Sequence, residues 1–192
     1  MDVYHDLSAV KKKYPHPVLC IGVFDGLHRG HQRLISASVR RAKEISGTAM
    51  VMTFYPHPIQ VLRPEVAPPH ITSFAYRLKL LEEMGVRVCW VIRFTRHFAA
   101  LSSEAFIRRY LLSGIQPEEI FVGDDFRFAQ NRSGTLDHFR RAAERYGFRL
   151  NAVSVGPRGH KSFSSSTIRQ DISEGRLRKA AKELGRAFAI LG

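Results

Sequence analysis

The segment His28-Arg29-Gly30-His31 places two imidazoles three residues apart around a glycine. It closes a stretch, Gly22 to His31, that also holds Gly22, Gly26 and Gly30. The chemistry such a stretch suits is the binding of an anion. Backbone N–H groups at a helix start, with the positive end of the helix dipole behind them, attract phosphate. Glycines allow the backbone to come close to it. If the helix starts near Gly30, His28 and His31 point toward one volume. Their ring N–H groups can donate to phosphate oxygens, and they are expected to bind best when protonated.

Three further strings carry chemistry. Ser164-Ser165-Ser166-Thr167-Ile168-Arg169 puts hydroxyls at a second helix start and a guanidinium one turn in, again a pattern for phosphate. Phe54-Tyr55-Pro56-His57-Pro58 combines an aromatic with two rigid prolines, which can wall a flat ring. In Gly123-Asp124-Asp125-Phe126-Arg127-Phe128 the phenylalanines alternate with Asp125 and Arg127, so one side can be apolar and the other charged. No paired-carboxylate motif identifies a metal ligand.

The elements that must carry these strings follow from hydrophobic period. Val18–Ile21 reads as a buried strand, and Ile35, Val39, Ala42 and Ile45 mark one face of the helix after it. Residues 48–54, 86–94, 120–123 and 148–155 read as four more strands. Helices are expected at about 74–84 with Ser73 as cap, 102–112 stopped by Gly114, 135–146 ended by Gly147, 165–173 and 177–184. The proline-rich residues 56–69 read as a shaped loop, and residues 1–17 as a lead-in. Strands alternating with helices imply an α/β fold, a Rossmann-like parallel sheet covered by helices on both faces. Each chemical string then follows a strand, at the carboxyl end where ligands bind in such sheets.

Length and composition set bounds. The 192 residues fit a single domain. No uninterrupted apolar run is long enough to span a membrane, and residues 1–6 lack the features of a signal peptide. Cys20 and Cys89 lie in apolar runs and read as buried free thiols, so a cytoplasmic location is expected. Net charge is +13, which steers anionic ligands. The basic residues are scattered, with one run at Lys11-Lys12-Lys13, so specific nucleic-acid binding is not expected. A monomer or a weak oligomer is expected.

Together these strings resemble the FAD synthetase branch of the HxGH nucleotidyltransferase superfamily, the FMN adenylyltransferase module of bifunctional riboflavin kinase/FAD synthetases. Gly22–His31 is similar to its first signature, Phe54–Pro58 to its Phe-x-Pro-His-Pro string, and Val122–Phe128 to its VGxDFxFG string. Phe163–Arg169 is similar to ISSTxxR, and Leu184–Phe188 to LGRPF. Tyr55, Ala129, Phe163 and Ser166 depart from the family pattern. The resemblance implies AMP transfer from ATP to FMN, giving FAD and pyrophosphate, with Mg²⁺ on the phosphates. It implies His28, His31 and Arg169 as catalytic. Gly22, Phe24, Asp25, Gly26, Ser164, Ser165 and Ser166 join them around ATP. Phe54, Pro56, His57, Pro58, Asp125 and Phe128 fall to the flavin. The kinase module is expected to be absent from residues 1–192. The alternatives are a transferase of the same type with another acceptor, or a non-enzymatic basic protein that binds nucleotides or nucleic acid.

Overall fold

Runs such as Pro17–Ile21 and Glu119–Gly123 bury every residue, which only a strand covered on both faces can do. In the computed structural model, which describes residues 1–10, 14–156 and 163–189, they form the middle of a six-stranded sheet. Its strands are β1 (Asp2–Tyr4), β2 (Pro17–Ile21), β3 (Thr48–Tyr55), β4 (Val88–Arg93), β5 (Glu119–Gly123) and β6 (Arg149–Val153). The order is β1-β4-β3-β2-β5-β6, and every pairing is parallel. The lead-in thus differs from expectation. Asp2–Tyr4 adds an edge strand on β4, and Leu7–Val10 forms a short helix, α1. A three-residue strand carries too little pattern to be seen in sequence. The Lys11–Lys13 run lies outside the described residues.

The other helices are α2 (Arg29–Glu44), α3 (Pro58–Leu62), α4 (Phe74–Glu83), α5 (Arg96–Ala99), α6 (Ser103–Phe106), α7 (Leu136–Tyr146), α8 (Ser165–Ser173) and α9 (Leu177–Leu184). Ser73 caps α4 by accepting from the Tyr76 N–H, and Gly147 ends α7, as expected. The helix expected over 102–112 is different. After α6 it widens into a π-helix over Ile107–Ile115, with Gly114 inside it. Its buried large side chains recur every four positions, Ile107, Leu111 and Ile115, and Gly114 is buried beside them.

Strand alternation splits the core in two. Leu19, Ile21, Met50, Met52, Trp90 and Val122 face one layer, which contains the π-helix and α7. Val18, Cys20, Val51, Cys89, Val91 and Phe121 face the other, with α2 and α4. Cys20 and Cys89 are buried free thiols. The chain leaves β2 toward β3, while β5 lies on the opposite side of β2. The strand order reverses between β2 and β5, and the site lies at their carboxyl ends, where ligands bind in such sheets.

Candidate active site

The turn after β2 is held in a conformation it would not keep alone. Phe24 and Leu27 adopt left-handed backbone angles, with φ of 56° and 38°. Neighbouring elements overdetermine it, as strained functional turns require. The Val23 carbonyl accepts from Thr53 Oγ1 (3.0 Å) and an Arg77 guanidinium N–H (3.1 Å). The Asp25 carbonyl accepts from Ser165 Oγ (3.2 Å), and the Gly26 N–H donates to Thr72 Oγ1 (3.2 Å).

His28 is the N-cap of α2. Its Nδ1 accepts from the His31 N–H at 3.3 Å, so the neutral imidazole carries its proton on Nε2. The His28 and His31 rings stack with centroids 3.6 Å apart, and Phe24 closes on His31 edge-on at 5.3 Å. Burial pulls the His28 pKa down to about 4. Burial, and then the charges of His28 and Arg77, hold His31 well below its ordinary value. In the free protein both are neutral near pH 7, and each offers one N–H donor rather than a full charge. Gly30 has a steric reason. A Cβ there would lie 2.4 Å from the Val155 carbonyl oxygen. Its absence lets the chain beyond β6 lie on the first turn of α2, where Arg33 donates to the Gly156 carbonyl at 2.8 Å.

Asp25, expected beside ATP, is a buried hub instead. It is 2% exposed and accepts from the Ile71 N–H (3.2 Å) and the Thr72 N–H (3.4 Å). Arg77, 1% exposed, lies 3.5 Å from it, and Arg169 lies 2.6 Å from it. Burial alone would raise the Asp25 pKa. The Arg77 charge, the Ile71 N–H and Arg169 outweigh that and hold the carboxyl below its usual range. Arg169 also donates through Nε to the Pro69 carbonyl at 2.9 Å. The guanidinium expected on phosphate therefore anchors α8 to the histidine turn and to the 69–72 loop. Ser164 caps α8 by accepting from the Ser166 N–H (3.2 Å), and Ser166 itself is exposed.

The residues expected at the flavin divide. Phe54 is buried against Phe94 and Phe98, with ring centroids at 6.0 and 5.8 Å. Phe128 is buried against Phe139 at 4.5 Å. Both are core residues, and they lie in the layer opposite α2. Phe126 and Phe128 stack on one another while Asp125 and Arg127 are exposed, the two-sided arrangement that the alternation suggested. His57 caps α3, with Nδ1 accepting from the Ile59 N–H and Gln60 bonding back. Burial takes its pKa down to about 4. Pro58 opens α3, and Pro56 follows a cis peptide bond. Tyr55 remains 46% exposed, its ring tilted against that of Phe74 at 4.6 Å.

Sequence reasoning missed Arg77 and Thr72. Thr72 lies in a loop without periodicity. Arg77 had one signal, its place four residues before buried Leu81 on the inner face of α4. Among the described residues no cluster of three or more His, Cys, Asp or Glu side chains is arranged to hold a metal ion. None of their helices is long and apolar enough to cross a membrane.

A parallel sheet with this strand order, and a stacked histidine pair capping the helix at its switch point, define an α/β protein of nucleotidyltransferase type. The pantothenate synthetase of Thermus thermophilus shares the fold, with TM-score 0.52 at 16% identity over 96% of this chain and 81% of that one. Residues 10–167 match the FAD synthetase family model, and the chain belongs to that family. The bifunctional riboflavin kinase/FMN adenylyltransferase of Escherichia coli K12 is 35% identical over 91% of this chain. That of Bacillus subtilis 168 is 31% identical over 99%. The chain spans 56% and 60% of the lengths of those two relatives. A crystal structure described as a macrolide-efflux protein from Streptococcus pneumoniae superposes with TM-score 0.82 at 26% identity, covering 97% of this chain and 70% of that one.

Proposed function

We propose that the chain is an FMN adenylyltransferase. An oxygen of the FMN phosphate attacks the α-phosphorus of ATP, the bond to the β-phosphate oxygen breaks, and pyrophosphate leaves as FAD forms. The observation that carries this reading is the stacked His28–His31 pair at the start of α2, tied through Asp25 to the start of α8. Two helix N-termini thus meet at one crevice, which suits a polyphosphate. Little covalent chemistry falls to the protein, so orientation and charge stabilisation must supply the rate. His28 Nε2–H and the His31 imidazole donate to the phosphates as charge moves onto pyrophosphate. Gly22, Phe24, Gly26 and Gly30 shape the turn beneath them, and Ser166 faces the phosphates from α8. Ser164, Ser165 and Asp25 hold those elements in place rather than touching the nucleotide.

On the flavin side Tyr55, Pro56, Pro58 and Asp125 form the rim, with His57 behind them and with Phe54 and Phe128 backing it from the core. Among the described residues no cluster is arranged as a cation site, and the Asp25 carboxylate is engaged by protein donors. Mg²⁺ belongs to the reading as part of the substrate, MgATP, with the phosphates as its main ligands.

Incubation with ATP, Mg²⁺ and FMN, followed by chromatography, should yield FAD and stoichiometric pyrophosphate. Riboflavin in place of FMN should give no product, because it offers a hydroxyl where FMN offers an anionic phosphate oxygen. Absence of FAD in the first reaction, or adenylylation of another phosphate acceptor instead, would overturn the assignment.

Arg169→Ala should raise the KM for ATP by about tenfold, or ~1.4 kcal/mol, with a smaller change for FMN. Arg169→Lys should not restore it, because one ammonium cannot hold both the Asp25 carboxylate and the Pro69 carbonyl. Steady-state kinetics with each substrate varied in turn decides this. A rise confined to FMN would assign α8 to the acceptor.

A further inference from the structure

The segment after α9 completes the histidine turn. Gly185, at φ 72°, ends the helix in a left-handed conformation and turns the chain back toward α2. The approach is close, since a Cβ on Gly185 would meet Gln32 Oε1 at 3.2 Å. Arg186 is thereby aimed at the underside of the turn. One terminal nitrogen donates to the Gly26 carbonyl at 2.7 Å, and the other to the Leu27 carbonyl at 3.2 Å and the Leu184 carbonyl at 3.4 Å. Gln32 Nε2 bridges the same Leu27 and Leu184 carbonyls at 2.8 and 2.7 Å. The Tyr76 ring lies 5.7 Å from the guanidinium carbon.

These bonds complete an account of the turn's carbonyls. Val23, Asp25, Gly26 and Leu27 all accept from side chains of other elements, and Phe24 accepts from the Leu27 N–H. The planar guanidinium fork of Arg186 takes the Gly26 and Leu27 carbonyls on separate nitrogens. With its carbonyls drawn down toward Arg186, the turn holds Leu27 at a φ of 38°, one residue before the capping His28.

We propose that Arg186 is a positioning residue of the nucleotide site. It touches no reacting atom. It holds the Gly26–Leu27 peptide so that the His28 and His31 rings stand at the start of α2 in the geometry that receives the triphosphate. The inference rests on the assignment of the histidine turn to ATP. It makes the segment after α9 part of the active centre rather than a link beyond it.

Three variants test it: Arg186→Ala, Arg186→Lys, and Arg178→Ala as an exposed control on α9. MgATP binding is measured by calorimetry without FMN, FMN binding by fluorescence, and turnover by FAD formation. Arg186→Ala should lose about 10²-fold in FAD formation, a cost typical of a reacting geometry displaced from a distance. It should bind MgATP about tenfold more weakly and keep its FMN affinity. Ethylguanidinium at millimolar concentration should recover part of the MgATP affinity by refilling the carbonyl-lined gap. Arg186→Lys should fall between Arg186→Ala and the parent, and it carries the test if the alanine variant does not fold. Arg178→Ala should match the parent.

MgATP affinity and turnover within twofold of the parent in either Arg186 variant would overturn the inference. So would equal losses for ATP and FMN with no rescue. A parent chain that binds MgATP but makes no FAD would sink the proposed reaction while leaving the calorimetric test of Arg186 intact.

Discussion

Asp25→Asn is expected to destabilise the protein by about 3–5 kcal/mol and to reduce FAD formation at least 10²-fold. Arg77 is 1% exposed, and Asp25 is its anionic partner at 3.5 Å. Neutralising the carboxylate leaves that guanidinium buried with no compensating charge, a far larger penalty than losing a surface ion pair. The same change loosens Arg169, and with it the tie between the histidine turn and α8. Urea unfolding at pH 7 measures the first effect and steady-state kinetics the second. A loss below about 1 kcal/mol would mean that water reaches Arg77.

The acid limb of stability should change with it. The folded carboxyl titrates below its usual range. The Asp25 contribution is therefore present above the unfolded value, about 3.9, and is lost as pH falls through the lower folded value. Asp25→Asn should lack that part of the pH dependence.

His28→Asn should cost little stability and about 10²- to 10³-fold in turnover. Asparagine is among the best N-caps, so its side-chain oxygen can accept the His31 N–H that Nδ1 accepts now. What disappears is the Nε2–H and the stack on His31. The variant therefore separates the structural half of the imidazole from its chemical half, which His28→Ala would confound by uncapping α2. Thermal melts and FAD formation at saturating ATP are the measurements. Turnover within tenfold of the parent would remove His28 from charge stabilisation. With a pKa of about 4 in the free protein, His28 should leave no step near pH 6.5 in the binding of MgATP. A steep gain in affinity as pH falls through that value would show that the protonated ring is the one that binds.

Much was legible in the chain because much of it is local. The β2–β5 core strands are continuous apolar runs, and continuous runs signal burial on both faces whatever surrounds them. Helix starts at Arg29 and Ser165 follow from capping residues within a few positions. The histidine pair could be read as an anion site from three glycines and a helix, and the family resemblance pointed the same way. The sequence by itself therefore determined the central strands of the sheet and the class of chemistry, but not the edge strand Asp2–Tyr4 or the helix Pro58–Leu62 inside the segment read as a loop.

Which of the site residues are buried and which hold the others in place was decided only by tertiary structure. Asp25 meets Ile71, Arg77 and Arg169 across 46, 52 and 144 residues, separations that no periodicity encodes. Phe54 and Phe128 were expected against flavin and lie in the core layer away from α2, Phe54 because strand alternation points it there and Phe128 through its packing on Phe139, while Tyr55 stays exposed. The imidazoles were expected to bind phosphate best when protonated, and the pKa values that govern their protonation depend on burial, which exists only once α2, the turn and the chain beyond β6 have packed together. Electrostatic roles depend on distance and desolvation in three dimensions, and for this site both are set by contacts between residues far apart in the chain.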